Sequence, residues 1–167
     1  MKFNILVILI INAFFLMGAL KPALAIEHTQ KNGLFSMDIP EGWHWFEYPE
    51  EIIITYSDAK TVAMDIQLVP SKNLSQAEIK KNIKDGNDKM IKEGIEAHRG
   101  TLIDNKELKL DGVYATQLNF KTSLPDSVYV TYISLFNKGY AITITYGSQD
   151  EKMRLVMDDA LATVKLR

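Results

Sequence analysis

The sequence predicts an α+β domain, an antiparallel sheet flanked by helices, after an N-terminal signal peptide. Three observations carry this. Runs that alternate every second residue are joined by tight-turn dipeptides such as Asp111-Gly112. Two helical segments open on Ser-x-x-Glu capping boxes. Residues 1–25 join a charged start to an apolar run and a small-residue site. The order is strands, helix, strands, helix. Consecutive hairpins imply antiparallel pairing with the helices packed on the sheet.

Lys2 is the only charge before the 18-residue run Phe3 to Leu20. Lys21-Pro22 and Ala23-Leu24-Ala25 follow. This is the layout of a secretory signal, with cleavage expected after Ala25 and a periplasmic or secreted product. The alternative is an inner-membrane anchor, since 18 apolar residues approach what a bilayer core of about 30 Å needs. A lipid anchor would need a cysteine, and the chain has none. Disulfides are excluded for the same reason.

Cleavage leaves 167 − 25 = 142 residues, one domain with room for a substantial core. The leader holds two of the 19 basic residues and none of the 21 acidic ones, so the remainder carries 17 − 21 = −4. A mildly acidic domain without a basic cluster argues against nucleic acid, whose phosphates require Lys and Arg.

Residues 26–32 are polar and expected to be loose, and 33–167 form the domain. Leu34, Phe35, Met37 and Ile39 read as a first strand, ended by Pro40 and the Glu41-Gly42 turn. Trp43 to Tyr48 is aromatic, and Ile52-Ile53-Ile54 with Tyr56 is β-branched. Val62, Met64, Ile66 and Leu68 share one face of a half-buried strand that Pro70 stops. A helix then starts at the Ser75/Glu78 box, with Leu74 and Ile79 as its hydrophobic staple. Ile79, Ile83, Met90 and Ile91 form its apolar face, and Gly94 is the expected stop.

Thr101–Ile103 and Lys106–Leu110 are read as strands flanking Asp104-Asn105. Tyr114, Thr116, Leu118 and Phe120 share one face of the next strand. Val128 to Phe136 is apolar on both faces, as a central strand covered on both sides would be. Asn137-Lys138-Gly139 turns the chain into the alternating run Tyr140–Tyr146. A last helix, with a Ser148/Glu151 box, lays Met153, Val156, Met157, Ala160, Leu161 and Val164 on the sheet.

Three short motifs stand out: Phe35-Ser36-Met37-Asp38-Ile39-Pro40-Glu41-Gly42-Trp43, Asp111-Gly112-Val113-Tyr114-Ala115 and Gly139-Tyr140-Ala141-Ile142-Thr143. They resemble the opening F-S-x-x-x-P-x-G-W, the mid-chain strand and the closing hairpin of the PsbP-like superfamily of exported accessory proteins, which includes PsbP and the DcrB-like proteins. Together they span most of 33–165. The resemblance implies an α/β/α sandwich and binding or assembly factors with no shared catalytic residues. It brings no lipid anchor, for want of a cysteine, and no partner-docking residues.

Catalytic chemistry finds little footing. His28, His44 and His98 are far apart and lack metal-ligand spacing, and no metal or other cofactor is expected. Ser36, Asp38 and His44 are close in sequence, but a triad is a matter of geometry. Glu47, Glu50 and Glu51, like Asp158 and Asp159, read as solvated faces. No phosphate-binding glycine loop is present.

The aromatic stretch is the candidate binding site. Alternation puts Trp43 and Trp45 on one face, Phe46 and Tyr48 on the other. One pair faces the core, and the other is available for a contact. The expectation is a non-enzymatic accessory protein of the bacterial envelope that contacts a protein partner or assists assembly. The alternative is a small-molecule binder with a cavity between the sheet and the first helix. A hydrolase or metalloprotein ranks last.

Overall fold

Two turns set the course of the second half. Asp111 and Gly112 have φ of 46° and 81°, and Lys138 and Gly139 have 45° and 78°. Two-residue hairpin loops of the type I′ kind require positive φ at both central positions. Each turn therefore folds a strand straight back on the one before it. The chain is seen in a computed structural model that describes residues 25–56, 63–98, 100–122, 128–149 and 151–167. The expected signal segment lies outside these residues apart from Ala25, as does Val62.

The strands are β1 (Ile26–Thr29), β2 (Phe35–Ile39), β3 (Trp43–Glu47), β4 (Glu51–Tyr56), β5 (Ala63–Pro70), β6 (Thr101–Leu110), β7 (Val113–Lys121), β8 (Tyr129–Asn137), β9 (Tyr140–Ser148) and β10 (Lys165–Leu166). The helices are α1 (Gln76–His98) and α2 (Glu151–Ala162). Seven strands form the main sheet in the order β3-β4-β5-β9-β8-β7-β6, with every pairing antiparallel. A second, three-stranded sheet runs β1-β2-β10.

The main sheet has a core on each face. Ile52, Ile66, Ile144 and Ile133 lie side by side across β4, β5, β9 and β8, at 0–2% exposure. Met157, Ala160 and Leu161 of α2 and Phe35, Met37 and Ile39 of β2 cover this row. Neighbouring residues on a strand point to opposite faces. Thus Ala115 joins that core, while Thr116 bonds Asn87 of α1 on the other side. Helix α1 packs on β6, β7 and β8, with Ile83 buried and the Lys80 ammonium 5.0 Å from the Tyr114 ring. The layers are α1, the sheet, then α2 with the small sheet beside it.

The first capping box forms as expected. Ser75 N–H donates to Glu78 Oε2 at 2.8 Å, and Glu78 N–H to Ser75 Oγ at 3.4 Å. The Ser75 hydroxyl, donating to Glu78 Oε2 at 2.6 Å, and then the Ser75 amide hold the Glu78 carboxyl below its ordinary pKa. The second box spans Asp150 and the side chain of Glu151, outside the described residues.

Several expectations are revised. Residues 26–29 are not loose but strand β1, because β2 offers them a free edge. Glu27 there accepts from Ser36 Oγ at 2.8 Å, Lys165 at 3.3 Å and Arg167 at 3.2 Å. The antiparallel sheet flanked by helices is present as expected, and the small sheet β1-β2-β10 is an addition to it. Gly94 does not stop α1, which runs on to His98, since glycine lowers helix propensity by only about 1 kcal/mol unless it turns left-handed. Asp104-Asn105 is no break either. β6 is continuous, and a bulge at Ile103 absorbs the irregularity between Leu102 and Asp104.

Candidate functional site

The aromatic stretch lies on β3, an edge strand of the main sheet. Alternation divides it as the sequence predicts, and the tryptophans are the pair turned inward. Both are partly buried against the core. Trp43 lines an apolar void of about 10 Å³ with Met37, Ile54 and Met157, so little space remains around it. Trp45 stacks on His28 of β1 at 5.6 Å between ring centroids and meets Phe35 of β2 at 5.9 Å. Its Nε1 donates to Glu47 Oε2 at 3.4 Å, and the other Glu47 oxygen accepts from the Lys31 amide at 2.9 Å. The small sheet is therefore what holds the tryptophans.

Phe46 and Tyr48 point out, at 48% and 52% exposure. His44 lies beside Phe46, 6.2 Å between ring centres. Val69, at the far end of β5, is also 52% exposed. Helix α1 covers β6, β7 and β8, so it does not reach this corner. The four candidate residues thus divide into two anchors and two exposed rings.

The remaining candidates disperse. The Ser36 hydroxyl is buried and donates to Glu27. The Asp38 amide is held by Thr163 Oγ1 at 2.8 Å. His28 is stacked on Trp45, and the side chain of His98 lies outside the description. Among the described residues no three His, Asp or Glu side chains converge as metal ligands would.

One group on the last helix departs from the solvated-face reading. Asp159 is exposed, but Asp158 accepts from Tyr146 Oη at 2.5 Å and from Arg154 Nη1 at 3.0 Å. Tyr146 is 1% exposed. It stands in register with Thr131 on β8, which stands in register with Asn119 on β7. Thr131 Oγ1 donates to Asn119 Oδ1 at 2.9 Å, as does Gln117 Nε2 at 3.0 Å. A polar row thus crosses this sheet face and ends under α2. It floors an open cleft of about 500 Å³ between α2 and β6–β7. Burial, then the bond to Asp158, drives the Tyr146 pKa well above its ordinary value. The sequence signal was three polar side chains at core-facing positions of neighbouring strands. A second missed residue is Asn87, 6% exposed, filling the gap between Ile83 and Met90 in the apolar stripe of α1.

The molecule is therefore a layered α+β protein in which an antiparallel sheet separates one long helix from a helix and small sheet. That arrangement is the PsbP-like fold. A cyanobacterial PsbP (CyanoP) from Synechocystis sp. PCC 6803 superposes with a TM-score of 0.67 at 12% identity, over 90% of this chain and 96% of that one. The Saccharomyces cerevisiae Ran-binding protein Mog1p gives 0.59 at 9% identity, over 86% and 96%. A protein from Bacteroides thetaiotaomicron gives 0.58 at 12% identity, over 84% of this chain and 48% of its own. No protein-family model and no curated protein sequence matches the chain. At such identities the likeness is one of fold.

Proposed function

We propose that this chain is an exported accessory protein of the bacterial envelope that works by binding a protein partner, not by catalysis. The observation that carries the reading is the outward pair Phe46 and Tyr48, half exposed on an edge strand whose tryptophans are fixed inward. Exposed aromatic rings on a rigid strand cost little entropy to immobilise and dominate binding at interfaces. Mog1p, which shares the fold, is by description a Ran-binding protein, and this adds an analogy of mode alone.

Export rests on the leader-like composition of residues 1–25. Cleavage after Ala25 would free Ile26, the first residue of β1, and leave that strand whole. N-terminal sequencing of the protein from the native envelope is expected to begin at Ile26. A chain that retains residues 3–20 would instead be the membrane-anchored form.

The binding surface is tested with a photo-crosslinking amino acid at Phe46 or Tyr48 in living cells. The control position is Leu155, 51% exposed on α2. One discrete adduct from 46 and 48, absent from 155, is expected. No adduct, or the same adduct from all three positions, would remove Phe46 and Tyr48 as the contact surface.

A further inference from the structure

Helix α2 packs chiefly on β9 and β2, and α1 lies on the opposite face of the main sheet. The β6–β7 end of the α2 face is thus left as the floor of the cleft of about 500 Å³. Gln117 and Asn119 stand on that floor, both half-buried. Asn119 is oriented from behind. Its Oδ1 accepts from Thr131 Oγ1 at 2.9 Å and from Gln117 Nε2 at 3.0 Å, which fills both lone pairs. Asn119 Nδ2 and Gln117 Oε1 are therefore the ends left for the cleft. Among the described residues neither atom has a protein partner, and neither is sealed from solvent. Asp158 closes one side. Its oxygens accept from Tyr146 and Arg154, yet its side chain is 32% exposed, so each keeps a lone pair for the cleft. Lys106, in register with Gln117, adds an ammonium at the rim, and Leu108 and Leu161 supply apolar wall.

We propose that this cleft binds a saccharide through one pyranose unit. Each sugar hydroxyl both donates and accepts, so two neighbouring hydroxyls are met by a donor beside an acceptor. Asn119 Nδ2 and Gln117 Oε1 are such a pair, fixed by Thr131 before any ligand arrives. Lys106 and Asp158 offer a second donor and acceptor. The C–H edge of the ring covers Leu108 and Leu161. An apolar ligand would strand the two amides. A simple anion would leave Gln117 Oε1 unused and would face the carboxylates of Asp111 and Asp158. The volume lies within the range for small-ligand sites. Phe46 stands on the other face of the sheet, in the row of Ile53, Asp65 and Thr145, so the cleft neither needs nor excludes a protein partner there.

The probes are glucose, galactose, mannose and N-acetylglucosamine, with cyclohexanol and acetate as controls. The readout is the pair of side-chain amide resonances of Gln117 and Asn119 in ¹⁵N-labelled protein, assigned by their loss in Gln117→Leu and Asn119→Leu. At least one sugar is expected to shift both saturably, with a Kd of about 1 mM. Cyclohexanol, a ring with one hydroxyl, and acetate should leave them in place. Gln117→Leu should weaken the sugar about tenfold, read at Asn119, as one lost hydrogen bond does. It leaves the Asn119–Thr131 bond intact, so its thermal midpoint should stay near wild type. Lys106→Met, at an exposed position, should weaken the sugar about threefold and keeps the test open if the floor variant misfolds. No saturable shift with any of the four sugars overturns the site. Equal binding of cyclohexanol overturns the hydroxyl pairing, and equal binding of acetate makes the cleft an anion site instead. Unchanged affinity in both variants overturns the assigned contacts.

Discussion

Replacing Tyr146 with Phe removes one hydroxyl from the core and keeps the ring. The hydroxyl donates to Asp158 from a side chain only 1% exposed. Hydrogen bonds to charged groups contribute about 1.5–3 kcal/mol. Asp158 keeps Arg154, and its side chain is 32% exposed, so water can replace the lost donor. The expected loss is thus near the low end, about 2 kcal/mol. For 167 − 25 = 142 residues, an unfolding entropy of about 2.1 cal/mol/K per residue sums to about 0.3 kcal/mol/K. Tm should fall by about 7 °C.

The dependence on pH is the sharper test. The native pKa of Tyr146 is raised by burial and by Asp158 above its ordinary 10.0. Above about pH 10 the unfolded chain therefore loses a proton that the folded chain keeps. The stabilisation is full below pH 10 and is lost as pH rises toward the native pKa. At pH 10.5 wild type has lost about 0.8 kcal/mol through this group, and Y146F nothing. The gap between them should narrow from about 2 kcal/mol at pH 8 to about 1 kcal/mol at pH 10.5. Other tyrosines cancel in the comparison. Urea unfolding followed by the fluorescence of Trp43 and Trp45, the chain's two tryptophans, measures it. A gap that is constant or widens with pH would refute the buried, proton-retaining hydroxyl.

Two further substitutions probe the sheet. Thr116→Val strands the buried Asn87 amide, bonded to it at 2.9 Å, and should cost about 1–3 kcal/mol. Adding Asn87→Leu should recover most of that, because both polar partners then leave together. Simple additivity in a urea double-mutant cycle would mean the pair is not coupled. Gly147→Ala places a Cβ 2.9 Å from the Tyr129 carbonyl and 3.3 Å from Val130 Cγ2. The β8–β9 pair must shift to admit it, at a cost of about 1–3 kcal/mol. A thermal midpoint equal to wild type would show that this pairing yields freely.

What the sequence disclosed and what it withheld divide along the range of the interactions. Period-two alternation, capping residues and φ-positive turns act over a few residues, so the hairpins and both helices were legible. Alternation even separated Trp43 and Trp45 from Phe46 and Tyr48. It could not choose the inward pair, since both are aromatic, and the choice is made by His28 and Phe35 from strands of the other sheet. β1 was illegible because nothing in Ile26-Glu27-His28-Thr29 demands a strand. Its anchor Glu27 finds Ser36, Lys165 and Arg167 at separations of 9, 138 and 140 residues. The polar row makes the same point more strongly. On its own strand each of Asn119, Thr131 and Tyr146 is one polar side chain among several. Only the register makes them neighbours, and register is fixed by turn geometry and core packing together. A site assembled across three strands leaves little local pattern. The residues worth testing for function are therefore the polar side chains that the register gathers on one sheet face.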